Sequence, residues 1–404
     1  MRHLARRLLR LYRVQMGLVQ QAHPRDQLAE LVKAEVLLAA YFNLVAVKTT
    51  TPPPVIKRHL TIEGYVASVG SCGTKLRFRN AEDLRQLYTL LEIPDTCHLG
   101  PQAGTIRGEH LYLFFIQRIA LAQRVAELIV DFGYTKTKWS FAFRWMAKFI
   151  YGRHKQRLSA ANLVKWACHF PAFAASMRLV ANGTQFKPHF GPAFNVCAIP
   201  DCKNTATPVP GGGPAGRGPG APRNPDIQEV VYNGWLHKHG YKHQTLEFVN
   251  GLTGWVWGPE SMRQNDLFCQ AHSGLNKAIK DAQAHLPGQH LVGYGDSIYM
   301  LDTHVKRRHN DPAGSPTKLR HDAEDKAMSS VRETCEHHYG ELDSLFPYGN
   351  AKELKLKNEQ HCIREISFCR FFLRNCYVCL YHGKTSERFG HPPPSLPVYF
   401  AMWP

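Results

Sequence analysis

Acidic residues are almost missing from the middle of this chain. Between Asp131 and Asp226 the only carboxylate is Asp201, set among thirteen Lys and Arg running from Lys136 to Arg223. Long apolar runs are missing too. The apolar stretch Ala29–Val47 is broken by Lys33 and Glu35, and no uncharged segment has the length of a membrane span. The eleven Cys lack the spacing of a secreted disulfide framework. What is abundant is positive charge. The formal net charge of +18 favours a polyanionic partner, nucleic acid before membrane, because the excess cations displace counterions from a phosphate backbone.

At 404 residues there is room for two or three domains with ample core. Residues 1–13 are basic, helical in pattern and free of acid. Their composition resembles a mitochondrial presequence. The pattern continues into a second amphipathic segment near Asp26–Val45, which favours plain helices with arginines on the polar face. Thr49–Arg58, with Pro52, Pro53 and Pro54, reads as a linker. Residues 80–158 read as mostly helical, with helices near Glu109–Leu121, Gln123–Phe132 and Lys136–Lys148. A short helix, Gly133 and a basic helix are compatible with a helix-turn-helix. On the last of these, Trp139, Phe143, Met146 and Ile150 are expected in the core. Lys136, Lys138, Arg144 and Lys148 are the candidate phosphate contacts.

From about residue 190 the pattern becomes α/β. The apolar run Ala193–Pro200 reads as a buried strand with Asp201 at its tip. Residues 205–225 are rich in Gly and Pro and read as a flexible insertion. Thr245–Val249 and Gly254–Trp257 flank Asn250-Gly251, a hairpin signal. A helix is predicted over Leu267–Leu286. Asp296 follows the strand-like His290–Gly295, and a helix over Asp322–Phe346 carries Glu336 beside its apolar stripe, with Arg332 one turn earlier. The last helix, Glu359–Tyr381, places Cys362, Cys369 and Cys376 at helical spacing. That favours a core face over a zinc site made with Cys379 and His382. The pair His337-His338 reads as surface.

Three carboxylates from two strand ends and a helix, in a basic setting, suit phosphodiester chemistry. Hard divalent cations take carboxylate oxygens. Two such ions about 4 Å apart activate the attacking water and stabilise the leaving oxygen. Asp201, Asp296 and Glu336 are therefore the candidate metal-binding and catalytic set. Glu333 competes for the third place. Asp266 is an auxiliary candidate whose simpler role is capping the helix that begins at Leu267.

The ordered motifs resemble the PIF/Harbinger-type transposases, DDE superfamily endonucleases, and their domesticated Harbinger-derived relatives. The resemblance is carried by Tyr232-Asn-Gly234 with Lys242-His-Gln244, Asn250-Gly-Leu252 with Gly258-Pro259, and Arg263-Gln-Asn-Asp266. It continues through Tyr294-Gly-Asp-Ser-Ile-Tyr299 and Lys326–Arg332 leading to Glu336 and Gly340. Leu373-Arg-Asn375, Cys379-Leu-Tyr381, Pro393–Pro397 and Tyr399-Phe400 complete it. It implies a ribonuclease-H-like mixed α/β sheet flanked by helices, preceded by an all-α region. The implied layout is a basic helical segment and linker at 1–58, a helical region at 59–185 and a DDE endonuclease domain at 186–404. It further implies Asp201, Asp296 and Glu336 as ligands of Mg²⁺ or Mn²⁺, and cutting and joining of transposon ends in the nucleus. A Myb-like DNA-binding partner protein follows from the same resemblance, and a homo-oligomer is a further candidate assembly. Two departures stand beside it. Cys202-Lys203 follows Asp201 where the family has Gly, and the Gly/Pro-rich insertion comes next. They favour the alternative, a domesticated DNA- or protein-binding factor without catalysis.

Overall fold

The computed structural model describes residues 2–23, 26–49, 60–182, 195–207, 225–349 and 362–403. The predicted linker beyond Thr49 and most of the Gly/Pro-rich insertion, residues 208–224, lie outside the described residues. The chain divides into two compact units, Met1–Lys57 with Gly133–Thr135, and Arg58–Phe132 with Lys136–Pro404. The first holds the helices Arg2–Gln21 and Gln27–Thr49, joined by a hydrogen bond from Gln15 to Glu30 and burying Ala34. Among the described residues, no helix is long and apolar enough to cross a membrane.

The second unit opens with helices. Asn80 caps Ala81–Leu90 by accepting from the Asp83 N–H at 2.8 Å. The Gly108–Leu121 helix is apolar nearly all round and is buried along almost its whole length, as a helix without a polar face must be. Trp139, on the Lys136–His154 helix, stacks on Phe114 with ring centroids 3.9 Å apart. Phe143, Met146 and Ile150 are buried with Trp139, as the sequence predicts. One feature of this region was not predicted, a small antiparallel pair of β1 (Thr96–His98) and β2 (Thr105–Arg107). Three residues per strand are too few to show an alternation.

The main sheet is mixed. Its strands are β3 (Asn195–Thr207), β4 (Tyr232–Asn233), β5 (Lys238–Glu247), β6 (Thr253–Ser261), β7 (Leu291–Tyr294) and β8 (Val305–Lys306). β5 pairs antiparallel with β3, β4 and β6, while β7 lies parallel to β3 and to β8. Thus β3 sits in the centre. Helices flank the sheet, and the helical region precedes it.

Two sequence expectations are corrected. β3 does not end at Asp201 but runs on to Thr207, and Asp201 is paired with Thr245. The extension exists because β5 is long and supplies hydrogen bonds to β3 from Ile199 through Thr207, whereas pairing with β7 stops at Ala198. Asp201 is therefore past the end of the parallel pairing but inside the antiparallel one. The helix predicted over Leu267–Leu286 is two, Asp266–Ser273 and Leu275–Gln283. Gly274 breaks it with φ +76°, a left-handed conformation natural to glycine at a helix end.

The β5–β6 hairpin closes through Asn250-Gly251, where Gly251 has φ +85° and the Asn250 side chain accepts from the Leu252 N–H. It is held from outside by Asn375 on the Ile363–Tyr381 helix. That amide accepts from the Thr253 N–H at 2.9 Å and donates to the Thr253 carbonyl at 2.8 Å. Asn375 and Thr253 are both buried. Cys362, Cys369, Cys376 and Cys379 are buried as well, and Cys369 donates to the Ala147 carbonyl. Replacing Asn375 with Leu leaves two buried backbone groups without partners. Urea unfolding of the Asn375→Leu protein is expected to show a loss of about 2–4 kcal/mol, with the sheet signal in circular dichroism retained below the transition.

Candidate active site

Alternation along the strands aims one set of side chains at the Lys318–Leu345 helix. From β3, Asp201 meets Arg332 at 3.7 Å and Lys203 pairs with Asp343. From β5, the Thr245 hydroxyl lies 2.8 Å from the Tyr339 hydroxyl, and Glu247 is hydrogen-bonded to His338 at 2.5 Å. His338 was expected at the surface and is instead buried, its other ring nitrogen 3.0 Å from the Thr385 hydroxyl. Burial, reinforced by Arg374, pushes its pKa below the ordinary value. The reason is helical phase. His337 and Glu336 are exposed, while His338 falls on the stripe that continues from Val331, Thr334 and Cys335.

The opposite face of the same strands builds the support for Asp296. The Tyr299 hydroxyl takes a hydrogen bond from Gln244 at 3.0 Å and lies 3.6 Å from the Cys202 sulfur. Tyr299 is fully buried because Gly295 leaves room for it. A Cβ on Gly295 would come within 2.9 Å of the Tyr299 ring. The Tyr299 N–H donates to the Asp296 carbonyl, and the Ser297 N–H donates to the Asp296 side chain at 2.6 Å. A short turn after β7 thus fixes Asp296 beside β3.

Charge links the candidates. Burial pushes the Asp201 carboxyl from its ordinary 3.8 up to about 6, against the pull of the Cys202 N–H and Arg332, and with further push from Asp266 and Asp296. Burial also opposes the Arg332 cation, yet Asp201, Asp296, Cys335 and Glu336 outweigh it and hold its pKa above the usual arginine value. Asp201, Asp296 and Glu336 therefore share one basic neighbour. The sequence placed Arg332 one turn before Glu336 but gave it no part in the site. Its i−4 spacing to Glu336 was the available signal. The carboxylate oxygens of the three acids are not gathered within 4.8 Å of one another; among the described residues that closeness is reached by His309, His321 and Glu324. Glu333 is exposed. Asp266 does not cap its helix. Asn265 does, accepting from Phe268 at 2.8 Å, while Asp266 pairs with the buried Lys242 at 2.6 Å.

Residues 220–375 match the family described as the DDE superfamily endonuclease. This segment is a DDE endonuclease domain. No curated protein and no solved structure matches the chain. The matched residues contain β4 to β8 and the Lys318–Leu345 helix, hence Asp296 and Glu336. Asp201 stands ahead of them, and β3 brings it into the domain by pairing with both β5 and β7.

On the basic helix, Lys136 and Lys148 are exposed. Arg144 reaches back to the Ser140 carbonyl, and Lys138 donates to the Thr105 carbonyl at 2.6 Å. Farther along, Arg157 is committed to the carbonyls of Tyr399 and Trp403.

The raised Asp201 pKa fixes a sign. The folded chain holds a proton there that the unfolded chain has released between pH 3.8 and about 6, so stability falls as pH rises through that window. In chelator at pH 7.5, Asp201→Asn is expected to stabilise the protein by about 1–3 kcal/mol. Its stability should also lose the corresponding pH slope. Thermal melts from pH 4 to 8 on both proteins test this.

Proposed function

We propose that this protein is a metal-dependent DNA endonuclease and strand transferase of the Harbinger transposase type, with Asp201, Asp296 and Glu336 as its metal-binding carboxylates. What supports the reading most is Arg332, on which all three acids act, Asp296 and Glu336 from within the DDE endonuclease segment and Asp201 from the strand before it. Three carboxylates whose charge is felt at one guanidinium offer the all-oxygen donor set suited to Mg²⁺ or Mn²⁺. Divalent ions, when bound there, supply water activation and stabilisation of the leaving oxygen. The residues of the chain do the rest. Asp201 would release to solvent the proton that burial favours, Asp296 is oriented by the Ser297 N–H, and Glu336 offers its carboxylate from an exposed helix position.

DNA would lie against the basic face, with Lys136, Lys138, Arg144 and Lys148 taking phosphates. The reading also carries cutting and joining of transposon ends in the nucleus, alongside a Myb-like DNA-binding partner and as a homo-oligomer. A second reading is favoured by one observation, that the carboxylate oxygens of the three acids stay apart. It makes the chain a domesticated DNA- or protein-binding factor without catalysis.

Nicking of DNA that carries the element's own ends, with the partner supplied, separates the two. Asp296→Asn is expected to reduce nicking to background while folding and DNA binding persist, and Glu336→Gln should act far more severely than Glu333→Gln. Undiminished nicking by Asp296→Asn overturns the mechanism. A folded, DNA-bound wild type that is inactive with every divalent metal supports the second reading.

The basic helix gives a separate prediction. Substituting Lys136, Arg144 and Lys148 by Ala should weaken DNA binding, and each lost phosphate contact should reduce the slope of log affinity against log salt by about 0.9. Binding isotherms at several salt concentrations check it, and an unchanged slope removes this helix from the interface.

A further inference from the structure

Away from the three acids, the loop after β8 and the first turns of the Lys318–Leu345 helix bring two histidines together. The rings of His309 and His321 stack with centroids 3.9 Å apart and an interplanar angle of 11°. One donor atom from each of His309, His321 and Glu324 lies within 4.8 Å of the others. They line a cavity of about 390 Å³.

Each ring is backed by a carboxylate. Nδ1 of His309 lies 3.0 Å from Asp325, and Nδ1 of His321 lies 2.5 Å from Asp311. An ionised carboxylate accepts only, so each Nδ1 donates to it, which makes Nε2 the nitrogen that a neutral ring offers to a metal. Asp325 is itself buried and held by the backbone N–H of His309 and the Tyr294 hydroxyl. The free nitrogens face negative charge and a cation. Nε2 of His309 is 3.7 Å from Glu324, and Nε2 of His321 accepts from Arg320 at 3.0 Å. Arg320, which is mostly exposed, also pairs with Glu324. A carboxylate behind each imidazole is the arrangement that orients metal-bound histidines, and one donor atom of each ring already lies within 4.8 Å of the other and of Glu324.

We propose that His309, His321 and Glu324 form a second metal site that takes a borderline transition ion, Zn²⁺ foremost. Two imidazoles and one carboxylate suit zinc rather than magnesium. Water completes a tetrahedron. Bonds of about 2.0–2.2 Å place tetrahedral ligand atoms ~3.3 Å apart, so binding requires the stacked rings to splay until both lone pairs meet at the ion and Arg320 to leave. The ion clips the loop that follows β8 to the helix bearing Arg332 and Glu336.

The test uses the full chain, stripped with chelator and titrated with ZnCl₂ by calorimetry, and with CoCl₂ by absorption spectroscopy. One tight zinc equivalent is expected. Asp311→Asn should weaken it by ~10–100-fold, the usual effect of losing the group behind a ligand. His309→Gln combined with His321→Gln should remove it, whereas Asp201→Asn combined with Asp296→Asn should retain it. The cobalt spectrum should show tetrahedral bands without thiolate charge transfer, which reads the ligand set in the wild type even if a variant fails to fold. Zinc affinity unchanged in Asp311→Asn and in the histidine pair, or a thiolate band from the buried cysteines, overturns the proposal.

Discussion

The buried contact between Glu247 and His338 carries much of this architecture. It joins the end of β5 to the middle of the Lys318–Leu345 helix where both side chains are buried, and Thr253 donates to the same Glu247 oxygen while Thr385 meets the other His338 nitrogen. Breaking a buried pair costs far more than forming one gains, so the helix has one favourable register on the sheet. That register decides where Arg332 and Glu336 stand relative to Asp201. Further along, Asp343 takes Lys203 from β3 and Arg370 from the Ile363–Tyr381 helix, and Glu341 takes Arg374. The helix is thus tied to the sheet on one side and to its neighbour on the other through polar contacts that each allow little slip.

Asp201 shows the tension between fold and chemistry. A carboxylate in a central strand is costly, and its raised pKa expresses that cost. Cys202 and Gln244, on the other face, gather around the Tyr299 hydroxyl, which lets the turn bearing Asp296 approach. Asp201 is thus held on one face of these strands, beside Arg332, and the turn of Asp296 is supported from the other face by uncharged residues.

Much was legible because it was local. The apolar run before Asp201, the Asn250-Gly251 turn, the strand before Asp296 and the helix stripe beside Glu336 each follow from short-range pattern. What escaped was set by distant partners. β3 runs past Asp201 because β5, separated from it by the insertion, supplies the hydrogen bonds. The partner that His338 meets in the interior, Glu247, lies ninety-one residues away. Helical phase alone could have placed His338 inside, since it follows Val331 by seven residues. The break at Gly274 was weakly marked, because glycine inside an apolar pattern is tolerated in many helices. The choice of Asp201, Asp296 and Glu336 came from motif order, and no single motif would have sufficed, whereas the part of Arg332 was not foreseen.

The centrality of β3 has a practical consequence. The recognisable endonuclease segment, residues 220–375, begins after β3 has ended. Excised at those limits, it would keep β5 and β7 but lose the strand between them, and with it Asp201. Two interior edges would then stand open, each a row of unpaired backbone groups ready to accept a strand from another molecule. Such a fragment is poised to trade strands between copies, and any oligomer it formed would report the missing strand rather than the native assembly.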